Sequence, residues 1–183
     1  QGTADSRDWA IAAGNLRPDM ADTIAALQAQ GGRYTLETVT PQGERSYTVI
    51  ESIQRVIPYQ DDLAPLIAAG ADPATRIISF TVTEAGYYLN AQNQLDWPTF
   101  ADLRADLEAV RAGQAGHTVY GGLVSILRAR MLAGAGPVTL MNCDNLRHNG
   151  DRSRGGLLQF IDALGDGALK AWVLAHTTSP NAM

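Results

Sequence analysis

Short apolar runs alternate with amphipathic stretches along the chain. Residues 9–13 form an apolar run closed by Gly14-Asn15, which predicts a buried strand ending in a turn. Pro18 suits the first turn of a helix that continues through Met20, Ile24 and Leu27 to a stop at Gly31-Gly32. Residues 33–39 and 46–53 each alternate apolar with polar around the turn residues Pro41-Gln42-Gly43-Glu44, the pattern of a β-hairpin. Asp61 or Asp62 then caps a short helix through Leu63, Leu66 and Ile67 that ends at Gly70. Residues 76–82 are almost continuously β-branched or aromatic, as in a strand covered on both faces, and a loop follows over residues 83–86. Over residues 100–110, Phe100, Leu103, Leu107 and Val110 share one side and Asp102, Arg104, Asp106 and Glu108 the other, predicting an amphipathic helix. A longer helix is expected over residues 119–132, with Gly134 and Gly136 beyond it. A strand over residues 137–141 comes next, then two closing helices over residues 157–161 and 168–174. Strands alternating with helices predict an α/β fold, a mostly parallel sheet flanked by helices, with the hairpin as an insertion.

Composition narrows the class. With 183 residues, 45% of them hydrophobic, the chain can bury a core and is not a disordered segment. A formal charge of −5 with scattered Lys and Arg argues against a nucleic-acid partner. No stretch approaches the roughly 18 uncharged apolar residues of a membrane span, and the first residues hold no apolar signal core. The one cysteine, Cys143, permits no internal disulfide, so a reducing, cytoplasmic compartment is expected. The chain begins at Gln1 rather than Met and stops abruptly after Pro180-Asn181-Ala182-Met183, which reads as the interior of a longer protein.

In open α/β sheets, ligands bind beyond the carboxyl ends of the strands. Three polar segments occupy that position: residues 14–19, Thr81-Val82-Thr83-Glu84, and Asn142-Cys143-Asp144-Asn145. Together they predict a cleft. Asp19 stands where dinucleotide folds place an acidic group on the adenosine ribose, whereas Arg17 could pair with a 2′-phosphate; an acid at a helix N-terminus is the plainer reading of Asp19. No G-x-G-x-x-G opens a helix. Cys143, with Asp144 and His148 nearby, has the residue types of a nucleophile or a metal site, but the spacing is not that of zinc ligands, and a small buried residue at a strand end is the simpler expectation. His117 reads as a surface or cap residue, and His176 as one that meets a helix dipole. Near the end, Pro180 holds the backbone before Asn181, whose amide could donate a hydrogen bond to an alkoxide or carbonyl oxygen; ordinary turn chemistry would look the same.

Three segments together resemble the polyol-specific long-chain dehydrogenases, the mannitol dehydrogenase family. They are Thr81-Val82-Thr83-Glu84-Ala85-Gly86-Tyr87-Tyr88-Leu89-Asn90, then Asn142-Cys143-Asp144-Asn145 with His148-Asn149-Gly150, then Pro180-Asn181-Ala182-Met183. Their order and spacing match as well, and the likeness runs essentially end to end. Gly14-Asn15-Leu16-Arg17 and residues 32–39 resemble most the branch of that family acting on D-arabinitol.

The resemblance implies a Rossmann domain followed by a mostly helical substrate domain. It also implies metal-independent transfer of a hydride between a sugar alcohol of the D-arabinitol or mannitol type and NAD, giving a ketose. By position, Asp19 resembles the acid that selects NAD, although Pro18 stands where many relatives have a second acid. Arg17, Thr81, Val82, Thr83, Glu84, Cys143, Asp144 and Asn145 fall among the cofactor-binding positions, and Asn181 matches an asparagine that polarises the reacting oxygen. No metal site is implied. Residues 1–183 then read as one partial NAD-binding domain. The family's first strand, with its glycine turn, is expected upstream of Gln1, and its base lysine in the C-terminal domain; Lys170, the one lysine here, is in no family motif. In the strand order 3-2-1-4-5-6 that first strand lies between strands two and four. Its absence predicts open edges on residues 9–13 and 76–82, low stability and no turnover for these 183 residues alone. Two other readings are a non-catalytic α/β module that binds a nucleotide or protein, and a related oxidoreductase acting on a hexuronate.

Overall fold

A computed structural model describes residues 8–182. The chain divides into two compact units, residues 1–60 and 61–183.

In the first unit, β1 (Ile11–Ala13) pairs in parallel with β4 (Ile53–Val56), and between them in sequence come α1 (Ala21–Ala29) and a hairpin of β2 (Tyr34–Val39) and β3 (Arg45–Ile50). Pro18 opens a 3-10 turn, Pro18–Met20, that leads straight into α1. Gly31 and Gly32 end α1 in left-handed conformations, with the Gly32 amide donating to Leu27 at 2.8 Å. A side chain at Gly32 would also collide with the Ile53 carbonyl, so glycine is required there twice over. The hairpin turns at Thr40–Gly43, closed by the Gly43 amide on the Thr40 carbonyl, and Glu37 accepts from both Arg45 and Tyr47 across the pair. The second hairpin strand stops at Ile50, not Ile53: Ile53 starts β4, because the break at Glu51-Ser52 turns the chain from its antiparallel neighbour to a parallel one. The expected burial of residues 9–13 is not found. Trp9 and Ile11 are more than half exposed, and among the described residues β1 is laddered along one edge only.

The second unit contains α2 (Ala64–Ala71), β5 (Ile77–Phe80), α3 (Ala101–Arg111), α4 (Val119–Leu132), β6 (Val138–Asn142), α5 (Asn149–Leu164), α6 (Gly167–His176) and β7 (Thr177–Thr178). The three strands run parallel in the order β5-β6-β7. Thr177-Thr178 thus closes the sheet as its third strand. The core is built from Leu103, Leu107 and Val110 of α3, Tyr120, Val124 and Leu127 of α4, Val138 and Leu140 of β6, Leu157, Phe160 and Ile161 of α5, and Leu169 and Val173 of α6. β6, flanked by strands on both sides, alternates buried and half-buried residues. β5 is not covered on both faces: Ile78 and Phe80 pack on the core while Ile77, on the opposite face, is exposed. Residues 84–87 form a 3-10 turn where a loop was expected.

Asp106, expected on the polar side of α3, is buried. It lies three residues beyond Leu103 and so shares its face. Its carboxylate accepts from the His117 amide (2.5 Å), the Thr118 amide (3.1 Å) and the Thr118 hydroxyl (2.5 Å), while Thr118 caps α4 through the Gly121 amide. α5 begins eight residues before the expected helix, because its first two turns are rich in Gly and polar residues. Those glycines admit neighbours: a Cβ at Gly156 would strike the Tyr120 hydroxyl, and one at Gly150 the Pro180 carbonyl.

Candidate active site

β5 and β6 end side by side, held by the Cys143 amide on the Phe80 carbonyl at 2.8 Å. Beyond their carboxyl ends opens a cleft of about 630 Å³ lined by Thr81, Val82, Thr83, Glu84, Asp144, Asn145, Leu146 and Arg147. Six of these are residues the sequence singled out; Leu146 and Arg147 are additions from the loop before α5, where no motif drew attention to them. Cys143 does not line the cleft. It is exposed rather than buried, because residues alternate faces at the strand end, and its Sγ lies 3.7 Å from the Met141 carbonyl. His148, left-handed at the α5 cap, has Nδ1 3.9 Å from Asp151, and no group of three or more metal-ligating side chains occurs among the described residues. His117 gives its amide to Asp106, and His176 stacks on Trp172 at 5.0 Å at the end of α6.

Beneath the cleft lies a polar network. The Tyr87 hydroxyl donates to Asp144 Oδ2 (2.7 Å) and accepts from Asn142 Nδ2 (2.7 Å), while Tyr120 donates to the Tyr87 carbonyl (2.9 Å). Burial first, then the hydrogen bond and charge of Asp144, push the Tyr87 phenol well above its ordinary range. Burial, then the nearby Tyr87 and Tyr88, do the same to Tyr120. The Tyr87 hydroxyl thus holds the Asp144 carboxylate at the cleft wall, and Tyr120 holds the Tyr87 backbone behind it.

Asn181 does not line the cleft. Its amide is seated on α5, with Nδ2 donating to Asp151 Oδ2 at 2.9 Å and Oδ1 accepting the Asp151 amide at 3.0 Å. The tail is nonetheless tied to the cleft loop, because Asn149 bonds both Ala182 and Asp144. Asp19 and Arg17 belong to the first unit, past the carboxyl end of β1. Both are exposed there, and Asp19 accepts from Asn15 Nδ2 at 3.2 Å. Lys170 pairs with Asp162 at 2.6 Å, on helices α6 and α5.

Residues 2–183 match the family model described as the mannitol dehydrogenase Rossmann domain. The chain belongs to the mannitol dehydrogenase family. Among curated members, it is 55% identical over 175 residues to a D-arabinitol 4-dehydrogenase of Ralstonia nicotianae, covering 96% of this chain and 36% of that protein. It is 51% identical over 181 residues to a D-arabinitol 4-dehydrogenase of Klebsiella pneumoniae, covering 99% and 38%. A solved family structure, the Pseudomonas fluorescens mannitol 2-dehydrogenase in a ternary complex with NAD and D-mannitol, superposes with a TM-score of 0.83 at 34% identity, over 96% of this chain and 35% of that one. The chain therefore spans little more than a third of the length of the mannitol dehydrogenase family members it matches.

Proposed function

We propose that residues 1–183 are the cofactor-binding part, one partial Rossmann domain, of an NAD-dependent polyol dehydrogenase. The whole protein would oxidise a sugar alcohol of the D-arabinitol or mannitol type to a ketose in the cytoplasm. The observation that carries this is the identity of more than half the residues to D-arabinitol 4-dehydrogenases along almost the entire chain. The cleft supports it: it lies past adjacent parallel strand ends, and its volume suits a nicotinamide ring with its ribose.

NAD, when bound, supplies the hydride acceptor at carbon. Thr81, Val82, Thr83 and Glu84 would form one wall for it and Asp144 and Asn145 the other, with Cys143 contributing through the strand-end backbone. Asp19 would accept from the adenosine ribose, with Arg17 beside it. As hydride leaves, negative charge gathers on the substrate oxygen. Asp151 holds one N–H of the Asn181 amide, and the second would stabilise that charge. Lys170 is paired with Asp162 and does not line the cleft, so the group that takes the hydroxyl proton would come from the remainder of the polypeptide.

The test is a panel of D-arabinitol, D-mannitol, D-sorbitol and a hexuronate, each with NAD and the full-length protein. D-arabinitol as the best substrate supports the reading. Hexuronate turnover in its place, or NAD binding with no polyol oxidised, contradicts it.

A further inference from the structure

Asn149, the first residue of α5, is fully buried beside the cleft, and all four of its amide valences are used. Nδ2 donates to the Asn142 carbonyl at 2.9 Å and the Asp144 carbonyl at 2.7 Å. Oδ1 accepts from the Gly150 amide at 2.8 Å and the Ala182 amide at 2.9 Å. One amide therefore grips the loop that forms a wall of the cleft and, on its other side, the segment that carries Asn181.

Two neighbours complete the seat. Gly150 lets the Ser179 and Pro180 carbonyls approach so closely that any side chain would collide with them. Asp151 takes the Asn181 amide by both ends. The Asp151 N–H lies in the first turn of α5, where no carbonyl of the helix can accept it, so its bond to Asn181 Oδ1 reports directly on whether that seat is intact.

We propose that Asn149 is a positioning residue for hydride transfer. Touching neither cofactor nor substrate, it sets the distance between the Asp144 wall and Asn181, and so the aim of the Asn181 amide at the reacting oxygen. The inference rests on the catalytic part proposed for Asn181. Misplacement of a reacting group by about 1 Å can cost up to about 10²-fold in rate, so a spacer of this kind controls kcat without adding a contact.

The test uses the full-length enzyme with Asn149→Ala, Asn181→Ala, the double variant, and Ala182→Pro. The last removes the tail-side donor to Asn149 and keeps its buried bonds. Because proline also restricts the Asn181 backbone before it, its unchanged kcat counts against the inference where Asn149→Ala does not fold, while a loss is assigned only through Asn149→Ala. Expected are faster hydrogen exchange at the Asp151 amide and an unchanged NAD dissociation constant. The kcat for D-arabinitol should fall by about 10- to 10²-fold, with no further fall when Asn149→Ala is added to Asn181→Ala. An unchanged kcat in a folded variant, or losses that multiply in the double variant, overturns the inference alone. An Asn181→Ala enzyme with full kcat overturns the proposed site and the inference with it.

Discussion

Asn181 and Asp151 hold each other through two hydrogen bonds, Asn181 Nδ2 to Asp151 Oδ2 at 2.9 Å and the Asp151 amide to Asn181 Oδ1 at 3.0 Å. Asn181 stands out beside Pro180, but its partner Asp151 is thirty positions away and carries no motif. Asn181→Ala in the full-length enzyme is expected to lower kcat by about 10² to 10³-fold, as loss of one oxyanion donor does elsewhere, with NAD affinity retained. Steady-state kinetics with a separate NAD titration would show this, and loss of NAD binding instead would contradict it. Asp19 belongs to a different question, cofactor choice. Its exposed carboxylate, steadied by Asn15, would accept from ribose hydroxyls and repel a 2′-phosphate. Asp19→Ala is therefore expected to raise kcat/KM for NADP relative to NAD, and an unchanged ratio would remove Asp19 from that role.

Elements explain where stability comes from. Arg130 of α4 is fully buried and directs all five donors at backbone carbonyls: Gly136, Ala135 and Pro137 after its own helix, and Gly70 and Asp72 at the end of α2. Burial, then the nearby Arg76, lowers its pKa below the usual arginine range, and the carbonyl cage repays part of that cost. Lysine has three donors and no planar fork, so Arg130→Lys is expected to cost about 3 kcal/mol or more, read as a lower denaturation midpoint. Tyr120 makes a prediction in pH. Its folded-state pKa is raised, so the stability it contributes is present below the unfolded value of about 10 and is lost as pH rises beyond it. Tyr120→Phe should be less stable at pH 8 yet lose less stability between pH 8 and 11; equal losses would contradict the assignment. Elements bounded by clear stop signals or a one-sided apolar face were legible in the sequence: α4 falls on the expected residues 119–132 ahead of Gly134, α1 stops at its glycine pair, and amphipathic α3 lies within one residue of its expected bounds. Legibility failed where tertiary contacts decide. The start of α5 is written in glycines whose purpose is to admit Tyr120 and Pro180. Asp106 enters the core because Thr118 and His117 satisfy it, and β7 exists because β6 offers a free edge. Thr81 to Glu84 and Asp144 were legible as cleft residues because both follow apolar strands; Arg147 was not, since nothing local distinguishes a lining side chain from a polar loop, and Asn149, although within the quoted His148-Asn149-Gly150, bridges only because the tail packs against α5.

On the scale of the whole molecule, β1 and β5 each carry one ladder partner among the described residues, and Trp9, Ile11 and Ile77 lie exposed on or beside them. Unpaired edges and uncovered apolar side chains favour association and cost stability. Residues 1–183 prepared alone are therefore expected to show no polyol turnover and a low melting temperature. Robust D-arabinitol oxidation by that piece would refute the assignment of the proton acceptor to the rest of the polypeptide. If the ends of β5 and β6 and the Asn181 amide serve one reaction, a crystal structure of the full-length protein with NAD and D-arabinitol will show all three around the same pair of ligands. The nicotinamide should lie between residues 81–84 and 144–145, with Asn181 Nδ2 about 3 Å from the reacting oxygen; a nicotinamide bound elsewhere, or an Asn181 amide turned away from that oxygen, would contradict it.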